Sequence, residues 1–127
     1  MTTDDRVTVI EAFIEAYNRF DLEAMLALVH PDIVFANHSG NEVTAEARGL
    51  AQFRELAERA ASIFRARRQT ITDVTCAEAL VTVTIDYEGT LAVDLPGGPR
   101  AGDTLALKGR SEYALKDGKI VGLVDYS

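Results

Sequence analysis

One carboxylate of the sequence occupies a position that suits proton transfer. Asp125 lies in an apolar run, residues 120–126, whose composition predicts a β-strand. If Leu123 and Asp125 share the inward face of that strand, the carboxyl group lies among apolar side chains. Such burial raises the pKa of the carboxyl group and suits it to general acid or base catalysis. The alternative is a carboxylate at the frayed end of the strand, in contact with water.

A second candidate, Asn37, stands at the inner end of a predicted strand, residues 33–37. Its amide can hydrogen-bond a ligand carbonyl or hold a water for Asp125, or it can bond its own loop instead. His38 has an ordinary pKa near neutrality and could carry a proton. Strand alternation points His38 away from Asn37, however, which predicts a surface position. We therefore predict Asp125 and Asn37 as the catalytic residues.

Three hydroxyl groups belong to predicted buried faces, those of Tyr17, Ser111 and Tyr113. For the two tyrosines, packing in the core is the first expectation and a hydroxyl facing a pocket is the second. Ser111 can line a cavity, but no base lies near it in the sequence to activate it as a nucleophile.

The composition argues against several other kinds of chemistry. Thirteen Lys and Arg residues against twenty Asp and Glu residues give a net charge of −7, which disfavours nucleic acid and anionic membrane surfaces as partners. The single cysteine, Cys76, excludes an intrachain disulfide and a cysteine metal cluster. Neither a His-Glu-x-x-His motif nor a glycine-rich phosphate loop before a helix occurs. We expect no metal and no cofactor.

The length of 127 residues fits one domain, which we place at 1–127. The first residues are polar and acidic, and no apolar segment reaches the length of a membrane span. The cytoplasm is therefore the expected location.

The order of predicted elements indicates an α+β fold. Apolar spacing of three and four predicts a first helix that carries the apolar residues from Val7 to Tyr17 and is capped by Thr2, Thr3 or Asp4. It predicts a second helix over 22–29, ended by His30 and Pro31, and a third from Leu50 to near Arg65, with a basic run, 65–68, at its end. A polar loop is expected over 38–42. Alternation then predicts strands over 69–75, 79–93, 103–116 and 120–126, with a tight turn at 116–119 between the last two. Helices followed by antiparallel strands place the helices on one face of a sheet.

Several stretches carry a resemblance to a known superfamily. They are Phe-Ile-Glu-Ala-Tyr-Asn-Arg-Phe-Asp-Leu at 13–22, His-Pro-Asp-Ile-Val-Phe at 30–35, Gly49 before the third helix, and Lys-Asp-Gly-Lys-Ile at 116–120. On these the chain resembles the nuclear transport factor 2-like superfamily, and within it the SnoaL-like polyketide cyclases and ketosteroid isomerase-like proteins. The resemblance implies a cone in which three N-terminal helices pack on a strongly curved, mostly antiparallel sheet around an apolar pocket. It also implies a homodimer formed through the open face of the sheet.

The resemblance further implies where the catalytic groups of relatives would fall. The tyrosine, the aspartate base and the protonated aspartate of ketosteroid isomerases fall on Phe13, Asn37 and Ser111, none of which retains the required chemistry. We therefore do not expect a steroid isomerase. Limonene epoxide hydrolases carry an Asp-Tyr pair similar to Asp125-Tyr126, but their Arg-x-Asp pair is replaced by Thr-Ile-Asp at 84–86.

Two functions remain open from the sequence. The first is a small, cofactor-independent acid/base enzyme that isomerises, cyclises, dehydrates or hydrolyses an apolar or polyketide-like molecule. The second is a non-catalytic module of the same fold that binds a hydrophobic ligand or another protein. In either case a small hydrophobic molecule is the expected partner. The expected pocket-lining residues are Phe13, Tyr17, Phe35, Phe53, Val83, Ile85, Ser111, Tyr113 and Leu123.

Overall fold

The computed structural model describes residues 4–127 and confirms the α+β fold. Three helices and six strands follow one another in this range: α1 (Asp5–Asn18), α2 (Leu22–Ala27), β1 (Val29–Ser39), β2 (Glu42–Arg48), α3 (Leu50–Ile63), β3 (Phe64–Cys76), β4 (Val81–Leu91), β5 (Thr104–Lys116) and β6 (Lys119–Tyr126). The strands form one sheet in the order β2-β1-β6-β5-β4-β3. Every neighbouring pair is antiparallel except β1 and β6, which are parallel. Within the described range, no helix has both the length and the apolar character needed to cross a membrane.

Helices α1 and α2 begin at aspartate caps, and the helices bury apolar side chains against the sheet. The Asp4 side chain accepts from the Arg6 amide at the start of α1, and the Asp21 side chain accepts from the Ala24 amide at the start of α2. Helix α1 buries Ile10, Phe13, Ile14 and Ala16, whereas α3 buries Phe53. These side chains join the inward residues of the strands in one core.

The region after α2 differs from the prediction. Helix α2 ends at Ala27, and His30 and Pro31 belong to β1 instead of ending a helix. Within this strand, His30 Nδ1 accepts a hydrogen bond from the Asp32 amide. The segment expected as a polar loop forms a turn into β2, a strand that the prediction missed. Its alternation is weak because most of its residues are exposed.

Strand β3 begins at Phe64, so the basic run 65–68 lies in a strand and not at a helix end. Arg67 is only 6% exposed. Its guanidinium carbon lies 3.6 Å from the centre of the Tyr17 ring, and its Nε donates to the Tyr17 carbonyl at the end of α1.

Further along β3, a bulge between Ile71 and Asp73 shifts the alternation of side chains between the two faces. As a result Ile71 and Val74 both pack against the core, whereas the strict alternation of a regular strand would put them on opposite faces.

The hairpin of β5 and β6 agrees with the prediction and positions Asp125. Asp117 and Gly118 have φ angles of 54° and 76°, the left-handed pair typical of a two-residue hairpin turn. A shift in pairing between Ala114 and Leu115 then inserts one extra residue into β6. Without it, Ser111 would pair with Val124. With it, Ser111 pairs with Asp125, so both side chains face the helices.

The opposite face of the sheet is mostly polar. His38 stacks on Tyr126 with ring centres 5.0 Å apart, and the Arg110 guanidinium lies 4.3 Å from the centre of the same ring. His38 therefore lies on the outer face of the sheet, as predicted, although the Tyr126 ring covers one side of its imidazole. Dimerisation through this face stays a prediction.

Candidate active site

A cavity of about 430 Å³ lies between the inner face of the sheet and the helices α1 and α3. Its volume falls in the range of small-molecule sites. Most of its wall is apolar, and includes Phe13, Met25, Phe35, Phe53, Leu56, Phe64, Ile85 and Leu123. Leu107 lines the cavity and is 51% exposed, so the cavity opens to solvent near this residue.

Most of the residues singled out in the sequence meet at this cavity. Asp125 and Asn37 line it together with Phe13, Tyr17, Phe35, Phe53, Ile85, Ser111, Tyr113 and Leu123. Val83 does not: it is 1% exposed and belongs to the core with Val81 and Tyr113. Alternation correctly placed Val83 on the inward face, but neighbouring side chains separate it from the cavity.

Asp125 is held by a short hydrogen bond. The Ser111 Oγ donates to Asp125 Oδ1 across 2.6 Å, between the paired positions of β5 and β6. The residue as a whole is only partly buried, but the protein surrounds its carboxyl group. Burial raises the pKa of Asp125 from 3.8 to about 6, and the bond from Ser111 lowers it in part. Asp125 is therefore mostly ionised at neutral pH, yet more basic than an ordinary carboxylate.

Tyr113 adds a hydroxyl group to the same side of the cavity. The residue is 2% exposed and follows Ser111 by two positions on β5, so its side chain shares the inward face of the strand. Burial first, and the nearby Asp125 carboxylate second, raise the pKa of Tyr113 well above its ordinary value. The phenol therefore stays protonated and can donate a hydrogen bond.

Asn37 lies beside Asp125 without bonding to it. The two residues pair in register between the parallel strands β1 and β6. Asn37 Nδ2 donates to Thr44 Oγ1 at 2.7 Å, and this hydroxyl donates back to the Asn37 carbonyl at 3.2 Å. Thr44 thus fixes the side chain, and the amide oxygen has no protein partner within residues 4–127. Asn37 is placed to contact a ligand, whereas no contact supports a direct role in proton transfer.

Several polar residues that line the cavity were absent from the predicted site: Gln69, Tyr87, Lys108, Arg110, Tyr126 and Ser127. The Tyr87 hydroxyl lies 3.0 Å from that of Tyr17, and Gln69 lines the wall beside them. Tyr87 could have been found, because the alternation of β4 puts it on the inward face. Gln69 gives no such signal, since it stands where the sequence predicted the start of a strand.

The described residues hold no group of three or more metal-ligating side chains.

Comparison with known protein families identifies the family of this chain. A family profile described as a SnoaL-like domain matches residues 10–123. The chain belongs to the SnoaL-like domain family. No curated protein sequence matches it at a significant level.

Solved structures of similar shape support the assignment. A candidate polyketide cyclase from Xanthomonas campestris pv. campestris is 25% identical, with a TM-score of 0.83, and the alignment covers 97% of this chain and 90% of that one. IdmH, a candidate polyketide cyclase from Streptomyces antibioticus, is 21% identical with a TM-score of 0.77 over 94% and 89% of the two chains. AclR, a candidate hydroxylase from Streptomyces galilaeus, is 22% identical with a TM-score of 0.74 over 94% and 86%. The last two show a shared fold.

Proposed function

We propose that this SnoaL-like protein is a small acid/base enzyme in which Asp125 transfers a proton on an apolar, polyketide-like molecule. One observation carries the proposal: a carboxylate with a pKa of about 6 lines a largely apolar cavity and is hydrogen-bonded by Ser111. A general base works best when its pKa lies near the working pH. Asp125 meets this condition.

The surrounding groups fit a reaction that begins with removal of a proton from a carbon next to a carbonyl. Asp125 takes the proton and negative charge develops on the carbonyl oxygen. The protonated Tyr113 hydroxyl is a donor on the same side of the cavity and can stabilise that oxygen. Returning the proton to another atom completes an isomerisation. Attack of the carbanion on a second carbonyl of the same molecule, followed by protonation of the new alkoxide, completes a cyclisation.

The walls and the relatives support the substrate class. Aromatic and aliphatic side chains cover most of the cavity, so the bound molecule is mainly apolar. The structural neighbours from Xanthomonas campestris and Streptomyces antibioticus are described as candidate polyketide cyclases. We extend this substrate class to the present chain as part of the proposal.

The test uses a model proton abstraction, since it needs no knowledge of the natural substrate. In 5-nitrobenzisoxazole a base removes the proton on the ring carbon, the N–O bond breaks, and the coloured 2-cyano-4-nitrophenolate forms. We expect wild-type protein at pH 8 to accelerate this reaction about a hundredfold or more over Asp125→Asn, the usual contribution of a positioned general base. Small molecules that copurify with the protein, identified by mass spectrometry, then give natural substrates for the same pair of proteins.

The matched control is Asp86→Asn on the opposite face of the sheet, where Asp86 is exposed and lies 4.0 Å from Lys108. This variant should keep the wild-type rate. Equal rates for wild type and Asp125→Asn would contradict the proposal. If both proteins also bound the copurified molecule equally without converting it, the non-catalytic binding module would be the better account.

A further inference from the structure

The side of the cavity formed by β3 and β4 carries a second polar cluster. Tyr17, Tyr87 and Gln69 all line the wall there, and Gln69 and Tyr87 pair in register on neighbouring strands. The two tyrosine hydroxyls lie 3.0 Å apart. We call these three residues the tyrosine-glutamine cluster. It interrupts a wall that is otherwise mostly apolar on this side.

The hydrogen-bonding capacity of this cluster is not used up by the protein. One hydroxyl of the tyrosine pair donates to the other, and within residues 4–127 the second proton has no acceptor. Burial raises the pKa of Tyr87 far above its ordinary value, so the Tyr87 phenol remains protonated. The Gln69 Oε1 is shielded from solvent and has no hydrogen-bond partner among the described residues. Unpaired buried amide oxygens are costly and call for an explanation.

The backbone around Gln69 is fixed while its side chain lacks a partner. Asn18 at the end of α1 donates to the Gln69 carbonyl at 3.1 Å and accepts from the Gln69 amide at 2.8 Å. This clamp holds the position of Gln69 on the wall of the cavity.

The cluster lies well apart from Asp125. Gln69 on β3 pairs with Tyr87 on β4, which in turn pairs with Leu107 on β5. Ser111, which donates to Asp125, lies four residues beyond Leu107 on β5. It is therefore two strands across the sheet and four residues along it from Gln69. Strand spacing and rise put the two positions roughly 15 Å apart along the sheet surface. A molecule that contacts both positions therefore extends along the cavity.

We propose that the tyrosine-glutamine cluster is a binding subsite for a hydroxyl group at the end of the substrate opposite the reacting carbon. A hydroxyl group accepts from the free tyrosine proton and donates to Gln69 Oε1, so it satisfies both unused positions at once. The inference rests on the proposed function, which places the reacting carbon at Asp125. It adds that the substrate carries a hydroxyl group at this far end, and that this side of the cavity sets its orientation.

The experiment compares two probes by equilibrium dialysis: 2-hydroxyanthraquinone, with one hydroxyl group on three fused rings, and 9,10-anthraquinone, with none. Wild-type protein should bind the hydroxy probe about tenfold more tightly. Tyr87→Phe and Gln69→Leu should each reduce this preference to about twofold or less, while their affinity for the unsubstituted probe stays near that of wild type. Gln52→Leu, the same substitution at an exposed position of α3 outside the cavity, should retain the full preference.

Equal affinity of wild-type protein for the two probes, or failure to bind either, would overturn the subsite. So would a preference that both variants keep. Circular dichroism and thermal unfolding identify a variant that has lost its fold, and the second variant then decides. The outcome is separable from the proposed function: if the preference is present but Asp125→Asn keeps the model reaction rate, the subsite stands and proton transfer by Asp125 does not.

Discussion

Replacing Asp125 by Asn should stabilise the protein at neutral pH while it removes the proposed base. The native carboxyl group has a pKa of about 6 against 3.8 for an unperturbed aspartate. This difference corresponds to about 3 kcal/mol of unfavourable free energy for the ionised form in the fold. Because the residue is only partly buried, we regard this figure as an upper bound. Asparagine is never ionised, and its amide oxygen can still accept from Ser111.

The sign of the pH dependence follows from the raised pKa. Between pH 4 and 6 the folded state keeps the Asp125 proton while the unfolded state releases it, so this group lowers the free energy of unfolding as pH rises. Below pH 4 the carboxyl group is protonated in both states and its effect disappears. The advantage of Asp125→Asn over wild type should therefore be small at pH 4 and grow to about 3 kcal/mol above pH 7, or about 10 °C in melting temperature.

The assay is urea unfolding of both proteins from pH 4 to pH 8, with the difference in unfolding free energy plotted against pH. Other groups titrate in this experiment as well. The hydrogen bonds from Arg6, for example, lower the pKa of Asp4 to about 2. Such contributions are common to both proteins and cancel in the difference. A difference that is constant across this range, or a variant less stable than wild type at pH 8, would refute the assignment of a buried, ionised Asp125.

Two further variants probe the surroundings of Asp125. Ser111→Ala removes the hydrogen bond that lowers the Asp125 pKa, so the pH midpoint of the model reaction should rise by about one unit; an unchanged midpoint would show that Ser111 does not tune the carboxylate. Gly109→Ala introduces a Cβ only 2.6 Å from the Tyr126 carbonyl oxygen, which should cost about 1 to 3 kcal/mol in urea unfolding and reduce the model reaction by displacing the end of β6. Wild-type stability and rate would argue against this close approach.

The hairpin illustrates how far the sequence predicts the site. The Asp117-Gly118 turn and the alternation of β5 predict the two strands and the inward face that carries Ser111 and Tyr113. They do not predict the extra residue in β6. A regular hairpin would pair Ser111 with Val124 and turn Asp125 outward, whereas the observed shift pairs it with Asp125. The sequence could therefore state the inward orientation of Asp125 only as a condition, because bulges depend on packing between strands.

Other misses also come from tertiary contacts. Residues 65–68 read as a basic helix end, yet Arg67 is buried because its guanidinium stacks on Tyr17 and bonds the last turn of α1. Val83 lies on the inward face of β4, as its place in the alternation predicts, but it packs in the core and does not line the cavity. Periodicity predicts which face a side chain occupies, while the shape of the cavity depends on how the helices close over that face.

The most direct test of the central claim is the pH dependence of proton abstraction from 5-nitrobenzisoxazole by wild-type protein. If Asp125 is the base, the rate should rise through a single ionisation near pH 6, the pKa that burial gives this carboxyl group, and level off above it. Asp125→Asn should show no such ionisation. A rate that stays constant between pH 4 and 8, or an ionisation near 6 that persists in Asp125→Asn, would contradict the account.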